Sequence, residues 1–120
     1  MQSYNFTATI GASALRLSTL AIAAGAVLPG NSLYSSSYLP SCKLFLEVRP
    51  SATGLLYVGP STVSNAGANA EFIIQPGSGA NPGGSTSVES QEDANVIDLA
   101  NYWIHGSVPG DTISVVYHQS

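Results

Sequence analysis

The chain has 120 residues, which is within the usual size of one domain and enough to enclose a modest hydrophobic core. Apolar residues make up 44% of the chain and charged residues only 8%, whereas roughly 25% of residues are charged in an average soluble domain. Three basic and seven acidic residues give a formal net charge of −4. Nucleic acids and anionic membrane surfaces are bound by clustered cations, so this composition excludes both as partners.

The low charge favours association with other proteins. Ser, Thr, Asn and Gly, interleaved with Ala, must supply the polar surface. Such a surface lacks the repulsion between like charges that keeps proteins monomeric, and apolar patches on it mark contact sites. We therefore expect a homo-oligomer or a permanently docked subunit; compositional bias without functional meaning is the alternative.

The first predicted element is a half-buried strand. Apolar residues alternate with polar ones at Tyr4, Phe6, Ala8 and Ile10, and Gly11 ends the alternation.

The apolar run over residues 14–28 fits two structures, one helix or two short strands. Leu17, Leu20 and Ala24 have helical spacing, but the Ser and Thr residues among them and Gly25 weaken a helix. We predict extended structure. The run is shorter than the ~20 apolar residues that cross a bilayer. The strand-patterned region before it differs from the short basic leader of a signal peptide.

A Ser-rich loop over residues 31–41 leads to a series of predicted short strands. The first alternates strictly, with Leu44, Leu46 and Val48 inward, and Cys42 lies in phase with them as a small buried hydrophobe. The predicted strands from here on cover residues 42–49, 55–58, 71–74, 86–89, 95–99, 102–105 and 112–117. Seven or eight short strands with turn signals between them predict an all-β fold, an antiparallel β-sandwich.

No pattern in the sequence indicates catalysis or a bound cofactor. His105 and His118 lack the spacing of metal ligands, and the acidic stretch 89–98 lacks that of a calcium loop. The motifs of nucleophile elbows, phosphate-binding loops and dinucleotide sites are missing. We predict that the chain is not an enzyme and binds neither metal nor cofactor. A hydrolase centred on Asp98 or His105 is the weakest of the hypotheses.

Aromatic residues supply the candidates for contact with a partner. Tyr34 and Tyr38 lie in a predicted loop, where they fit a protein interface or, together with Trp103, a sugar-stacking surface. Tyr57, Tyr102 and Trp103 lie in predicted strands and are expected in the core or on a sheet face. The full set of interface candidates is Tyr4, Phe6, Leu17, Leu20, Tyr34 and Tyr38.

Three segments follow one another in a recognisable order. They are LFLEVRPSATGLLYVGPSTVS at residues 44–64, FIIQPG at 72–77 and NVIDLANYWIHGSVPGDTISVVY at 95–117. In this order they resemble the small accessory virion proteins of tailed bacteriophages, including a "YVG-x-S-x-V" strand end and a closing pair of strands with "G-D-x-v-x-v-x-y".

The resemblance implies a jelly-roll-like sandwich on the capsid surface of a virion. Such a decoration (cement) protein, often a homotrimer, stabilises the head lattice through the major capsid protein. A tail or head-fibre module that binds a receptor or glycan is the alternative. The implied body covers residues 41–120. Residues 1–40 lie outside the resemblance and, by analogy, form an N-terminal strand or arm and a loop that pack on the body or extend to a neighbour.

Overall fold

The alternation of apolar and polar residues produces two four-stranded antiparallel sheets with one core between them. The structure is a computed structural model that describes residues 2–26, 34–77, 83–89 and 95–119. Within these ranges the strands are β1 (Gln2–Thr9), β2 (Leu15–Arg16), β3 (Pro40–Ser41), β4 (Lys43–Val48), β5 (Leu56–Gly59), β6 (Phe72–Ile74), β7 (Ser85–Glu89), β8 (Ile97–Asp98), β9 (Trp103–Gly106) and β10 (Thr112–Gln119). One α-helix, α1 (Leu17–Ala23), and a 3₁₀ helix, Leu99–Asn101, complete them.

The strands are divided between the sheets by a regular scheme. The first sheet has the order β1-β10-β4-β7 and the second has the order β2-β9-β5-β6. A small two-stranded sheet, β3-β8, adjoins them. With β3 and β8 left out, the paired strands are nested: β1 with β10, β2 with β9, β4 with β7 and β5 with β6. The chain is thus folded like one long hairpin wrapped across two layers.

The core is built from the inward positions of these strands. In β10, Ile113, Val115 and Tyr117 are completely buried, while the residues between them are partly exposed. Leu44 and Leu46 of β4 are equally buried and lie in the same layer. The alternation predicted for residues 112–117 and 42–49 is therefore confirmed, and so is the all-β antiparallel sandwich.

The prediction of extended structure over residues 14–28 is wrong for most of the run. Residues 27 and 28 lie outside the described residues, and in the described part of the run only β2 is extended, with α1 following it directly. The helix ends in a Schellman motif: Gly25 has φ 72°, its N–H donates to the Ile22 carbonyl, and the Ala26 N–H donates to the Ala21 carbonyl. Gly25, which weakened the helix in the sequence, is the residue that ends it, because glycine adopts positive φ without steric cost.

Short elements account for the other differences from the predicted strands. The described residues hold ten strands rather than seven or eight, and β2, β3 and β8 have two residues each, too few to show an alternation. The strand predicted at 95–99 is β8 followed by the 3₁₀ helix. Within residues 1–40, β1 pairs with β10 along its whole length, so it belongs to the first sheet.

Replacement of a core leucine tests this arrangement. We expect Leu46→Ala, at a completely buried position, to lower the free energy of unfolding by about 2–5 kcal/mol, since it removes buried methyl groups and leaves a cavity. Ile73→Ala is the control because Ile73 is 57% exposed, and its effect should stay within about 0.5 kcal/mol. Urea denaturation followed by circular dichroism measures both; equal losses would contradict the assigned core.

Candidate contact surfaces

Tyrosines of β1 and β10 form a cluster near the end of α1. The rings of Tyr4 and Tyr117 are stacked, with centroids 5.1 Å apart and planes inclined by 24°. The hydroxyl of Tyr117 donates a hydrogen bond to the Ala26 carbonyl, which ties the end of α1 to β10. Burial raises the pKa of Tyr117 above its ordinary value, and the nearby Tyr4 and Tyr34 raise it further.

The segment carrying Tyr34 and Tyr38 is a tight turn beside this cluster. Ser35 and Tyr38 exchange two backbone hydrogen bonds, at 2.9 and 3.1 Å, and the hydroxyl of Ser18 in α1 donates to the Ser36 carbonyl. The two tyrosine rings are tilted by 58° at 6.3 Å between centroids. Tyr34 packs against the core, whereas Tyr38 is 50% exposed and faces solvent.

The structure separates the six predicted contact residues into three groups. Phe6 and Leu17 are buried in the core: Phe6 occupies an inward position of β1, and Leu17 is the first residue of α1. Half-buried positions against that core are occupied by Tyr4, Leu20 and Tyr34. Tyr38 alone of the six is largely exposed. The six residues do not form one surface.

The outward side of the second sheet carries the aromatic residues of its strands. Trp103 of β9 is half-buried, and the guanidinium carbon of Arg16 lies 4.7 Å from its ring centroid, a cation–π contact. The Nε of Arg16 also donates to the Ala100 carbonyl at 2.8 Å. One face of the indole is therefore covered by the chain itself.

Tyr57 of β5 also lies on the outward side of the second sheet and is buried beneath the loop that follows β5. Gly67 in that loop has φ 87°, and a Cβ there would lie 2.9 Å from the Tyr57 ring. Only glycine allows this approach. Tyr57 and Trp103 thus occupy the core or sheet-face positions predicted for them.

The polar groups considered for catalysis hold backbone segments in place. The Asp98 carboxylate accepts hydrogen bonds from the N–H groups of Leu39 and Ala100, both at 2.9 Å, and so begins the 3₁₀ helix. His105 is buried in β9, and its Nδ1 accepts from the Gly106 N–H at 2.9 Å. His118 belongs to the other sheet.

The acidic stretch 89–98 is described only at its ends, and residues 90–94 lie outside the described residues. Glu89 pairs with Lys43 at 2.8 Å, and the hydrogen bond from Lys43 lowers the pKa of Glu89. In the described ranges no three His, Cys, Asp or Glu side chains lie together as a metal site. Cys42 is buried, and its thiol donates to the His118 carbonyl.

Sequence reasoning missed a surface on the first sheet. Phe45 of β4 and Val116 of β10 lie opposite each other in the ladder and point away from the core, half-buried. Asn5 of β1 and Ser87 of β7 flank them in the same row. We call the outward side of this sheet the outer face. The signal was present in the sequence, because both are large apolar residues at positions where the alternation requires polar ones.

No protein-family model matches the chain, and no curated protein matches it. None of the helices in the described ranges is long and apolar enough to cross a membrane.

The raised pKa of Tyr117 predicts a loss of stability in alkaline solution. Tyrosine in the unfolded chain loses its proton near its ordinary pKa of about 10, whereas the folded protein retains the proton on Tyr117 to higher pH. The contribution of Tyr117 to the free energy of unfolding is therefore fully present below about pH 10 and is lost as the pH rises above it. Tyr102, whose pKa burial also raises, acts in the same direction.

Urea denaturation at about pH 8 and about pH 11 measures this fall. We expect Tyr117→Phe to reduce it, and to cost about 0.5–1.5 kcal/mol at the lower pH through loss of the hydrogen bond to Ala26. Tyr38→Phe, at a half-exposed position, should retain the full alkaline fall because Tyr117 is intact. An unchanged fall in Tyr117→Phe would contradict the burial of this hydroxyl.

Proposed function

We propose that this chain is a capsid decoration (cement) protein of a tailed bacteriophage, a non-enzymatic protein without cofactor. It acts as an oligomer on the capsid surface of the virion, where it stabilises the head lattice by binding the major capsid protein. The single observation that carries this proposal is the chemistry of the outer face of the first sheet.

The outer face has the properties of a protein contact surface. Phe45 and Val116 form an apolar centre, surrounded mainly by small uncharged residues such as Asn5 and Ser87. Its charges are few: Lys43 and Glu89 neutralise each other in an ion pair, and Glu47 is the remaining acidic residue of β4. A face with little charge loses little hydration energy when a partner covers it, and an apolar centre with a polar rim is typical of interfaces.

The nested strand pairing supports the structural part of the proposal. A jelly roll has eight strands in two packed sheets. Apart from β3 and β8, eight strands form two sheets of four here, and the first strand pairs with the last. We propose that the sandwich is jelly-roll-like, as the resemblance to virion proteins implies.

Binding to purified phage heads tests the proposal. The chain should bind expanded heads of its phage at near-equal copy number to the major capsid protein. We expect Val116→Glu to abolish or strongly weaken this binding, because it places a charge at the centre of the outer face. Ile73→Glu is the matched control, since it adds the same charge at an exposed position of the second sheet. Co-sedimentation with heads and thermal unfolding of each variant are the measurements.

The results separate cement from the other functions. Equal binding of both variants, or none by the native chain, would contradict a role of the outer face on the head lattice. A dozen or fewer copies in each particle would point instead to the tail or a vertex.

A tail or head-fibre module that binds a receptor or glycan is the second candidate. The half-exposed ring of Tyr38, tilted against Tyr34, favours it, since exposed aromatic rings stack on sugars. Trp103 is less suited because Arg16 covers one face of its ring. For this function Tyr38→Ala should lower adsorption of the phage to cells and binding to a glycan array, while Val116→Glu leaves both unchanged. For a cement protein, Val116→Glu should weaken binding to heads, while Tyr38→Ala should leave that binding unchanged.

A further inference from the structure

The outward edge of β1 is the longest free strand edge in the described part of the molecule. β1 has eight residues, and its strand partner is β10 on one side only. The other outermost strands are shorter: β2 has two residues, β6 three and β7 five. In the described ranges no residue outside β10 donates a backbone hydrogen bond to Gln2–Thr9 or accepts one from it.

The direction of the ladder shows which backbone groups of β1 face outward. Just beyond β1, the N–H of Ile10 donates to the Asp111 carbonyl, and the Ile10 carbonyl accepts from the Gly110 N–H. Both backbone groups of Ile10 therefore point to the side of β1 on which β10 lies. Backbone groups alternate between the two sides of a strand in an antiparallel ladder. The N–H and C=O groups that point away from β10 therefore belong to Ser3, Asn5, Thr7 and Thr9. All four residues are exposed.

This edge has none of the usual protections against a second strand. Proteins block free edges with Lys, with Pro, with bulges or with very short strands. The sequence of β1, QSYNFTAT, has no charged residue and no Pro or Gly, and its register with β10 runs without a bulge from Gln2 to Thr9. The edge of β7, by comparison, is shorter and ends at the exposed carboxylate of Glu89.

From these observations we infer that β1 pairs with β1 of a second copy of this chain, antiparallel and around a two-fold axis at Phe6. Of the antiparallel registers, the one centred at Phe6 brings all four outward-facing residues into hydrogen-bonded pairs. Ser3 then pairs with Thr9 of the second copy, and Asn5 with Thr7. The four-stranded sheets of the two copies become one continuous sheet.

A second copy fits this edge because the strand is complementary to itself. The pairs on the outer face are Ser with Thr and Asn with Thr, uncharged hydrogen-bonding side chains of the kind that stabilise cross-strand neighbours. No like charges oppose each other, since β1 carries none. The two-fold axis also places the two outer faces side by side, so that the apolar centres of Phe45 and Val116 are repeated on one surface.

The pairing does not depend on binding to a capsid. It differs from the homotrimer that the resemblance implies. An isologous contact of this kind closes after two copies. One strand edge buries less than the ~1,000 Å² of a stable interface, so the dimer should form with increasing concentration.

Sedimentation equilibrium over a wide concentration range tests the pairing. The mass of the native chain should rise from 12.3 kDa toward twice that value. The double variant Asn5→Lys and Thr7→Lys, which sets Lys against Lys in the inferred register, should weaken dimerisation by about tenfold or more. The control adds the same charges to the other edge of the sheet, as Ser85→Lys and Ser87→Lys on β7, and should dimerise like the native chain. Circular dichroism checks that both variants are folded.

Thiol cross-linking tests the register. In a Cys42→Ser background, a mixture of the Asn5→Cys and Thr7→Cys variants should cross-link with a short bismaleimide more efficiently than either variant alone. Strongest cross-linking of one variant with itself would contradict the register centred at Phe6. A monomer at every concentration, a trimer, or a loss of dimer in the β7 variant rather than the β1 variant would overturn the inference.

Discussion

The fold depends on the pairing of β10 with β1 on one side and β4 on the other. Through these two ladders β10 positions Ile113, Val115 and Tyr117, each completely buried, at the centre of the core. The outward residues of the same strand form the middle of the outer face, where Val116 meets Phe45. The core and the outer face are therefore fixed together, since a shift of one residue in the register of β10 would exchange them.

Few ionised groups are needed to hold this architecture. Its specific polar contacts are mostly between a side chain and the backbone: Asp98 holds the start of the 3₁₀ helix, and Asp111 accepts from the N–H groups of Thr53 and Gly54. These carboxylates stabilise loops that connect the sheets. The surface that remains is polar and carries few charges, so the outer face would lose little hydration energy in a contact.

Sequence reasoning succeeded where a periodic pattern was long enough. Alternation over five or more residues located β1, β4 and β10 and their inward side chains. It failed for residues 17–23 because Ser18, Thr19 and Gly25 were treated as residues that weaken a helix, whereas Gly25 occupies the left-handed position at the helix end. Two-residue strands such as β3 and β8 depend on neighbours distant in sequence, which no local pattern reveals.

The candidate contact surfaces were harder to anticipate than the fold. Whether an aromatic residue is buried depends on the strand opposite it, so Phe6 and Leu17 could not be distinguished from exposed residues by type alone. The outer face was detectable in principle, because Phe45 breaks the polar phase of β4. The pairing of Phe45 with Val116 depends on the register between β4 and β10, which the alternation within one strand does not give.

The nested pairing of strands also determines the order in which the protein can fold during synthesis. β5 and β6 are separated by a loop of 12 residues, from Pro60 to Glu71, and can pair early, whereas β1 must wait for β10, whose register joins Gln2 to Gln119. Contacts so distant in sequence slow folding, because a long loop must close before they form. Until the last strand leaves the ribosome, β1 has apolar side chains exposed and both edges unpaired, so nascent chains that crowd together are at risk of pairing with one another first.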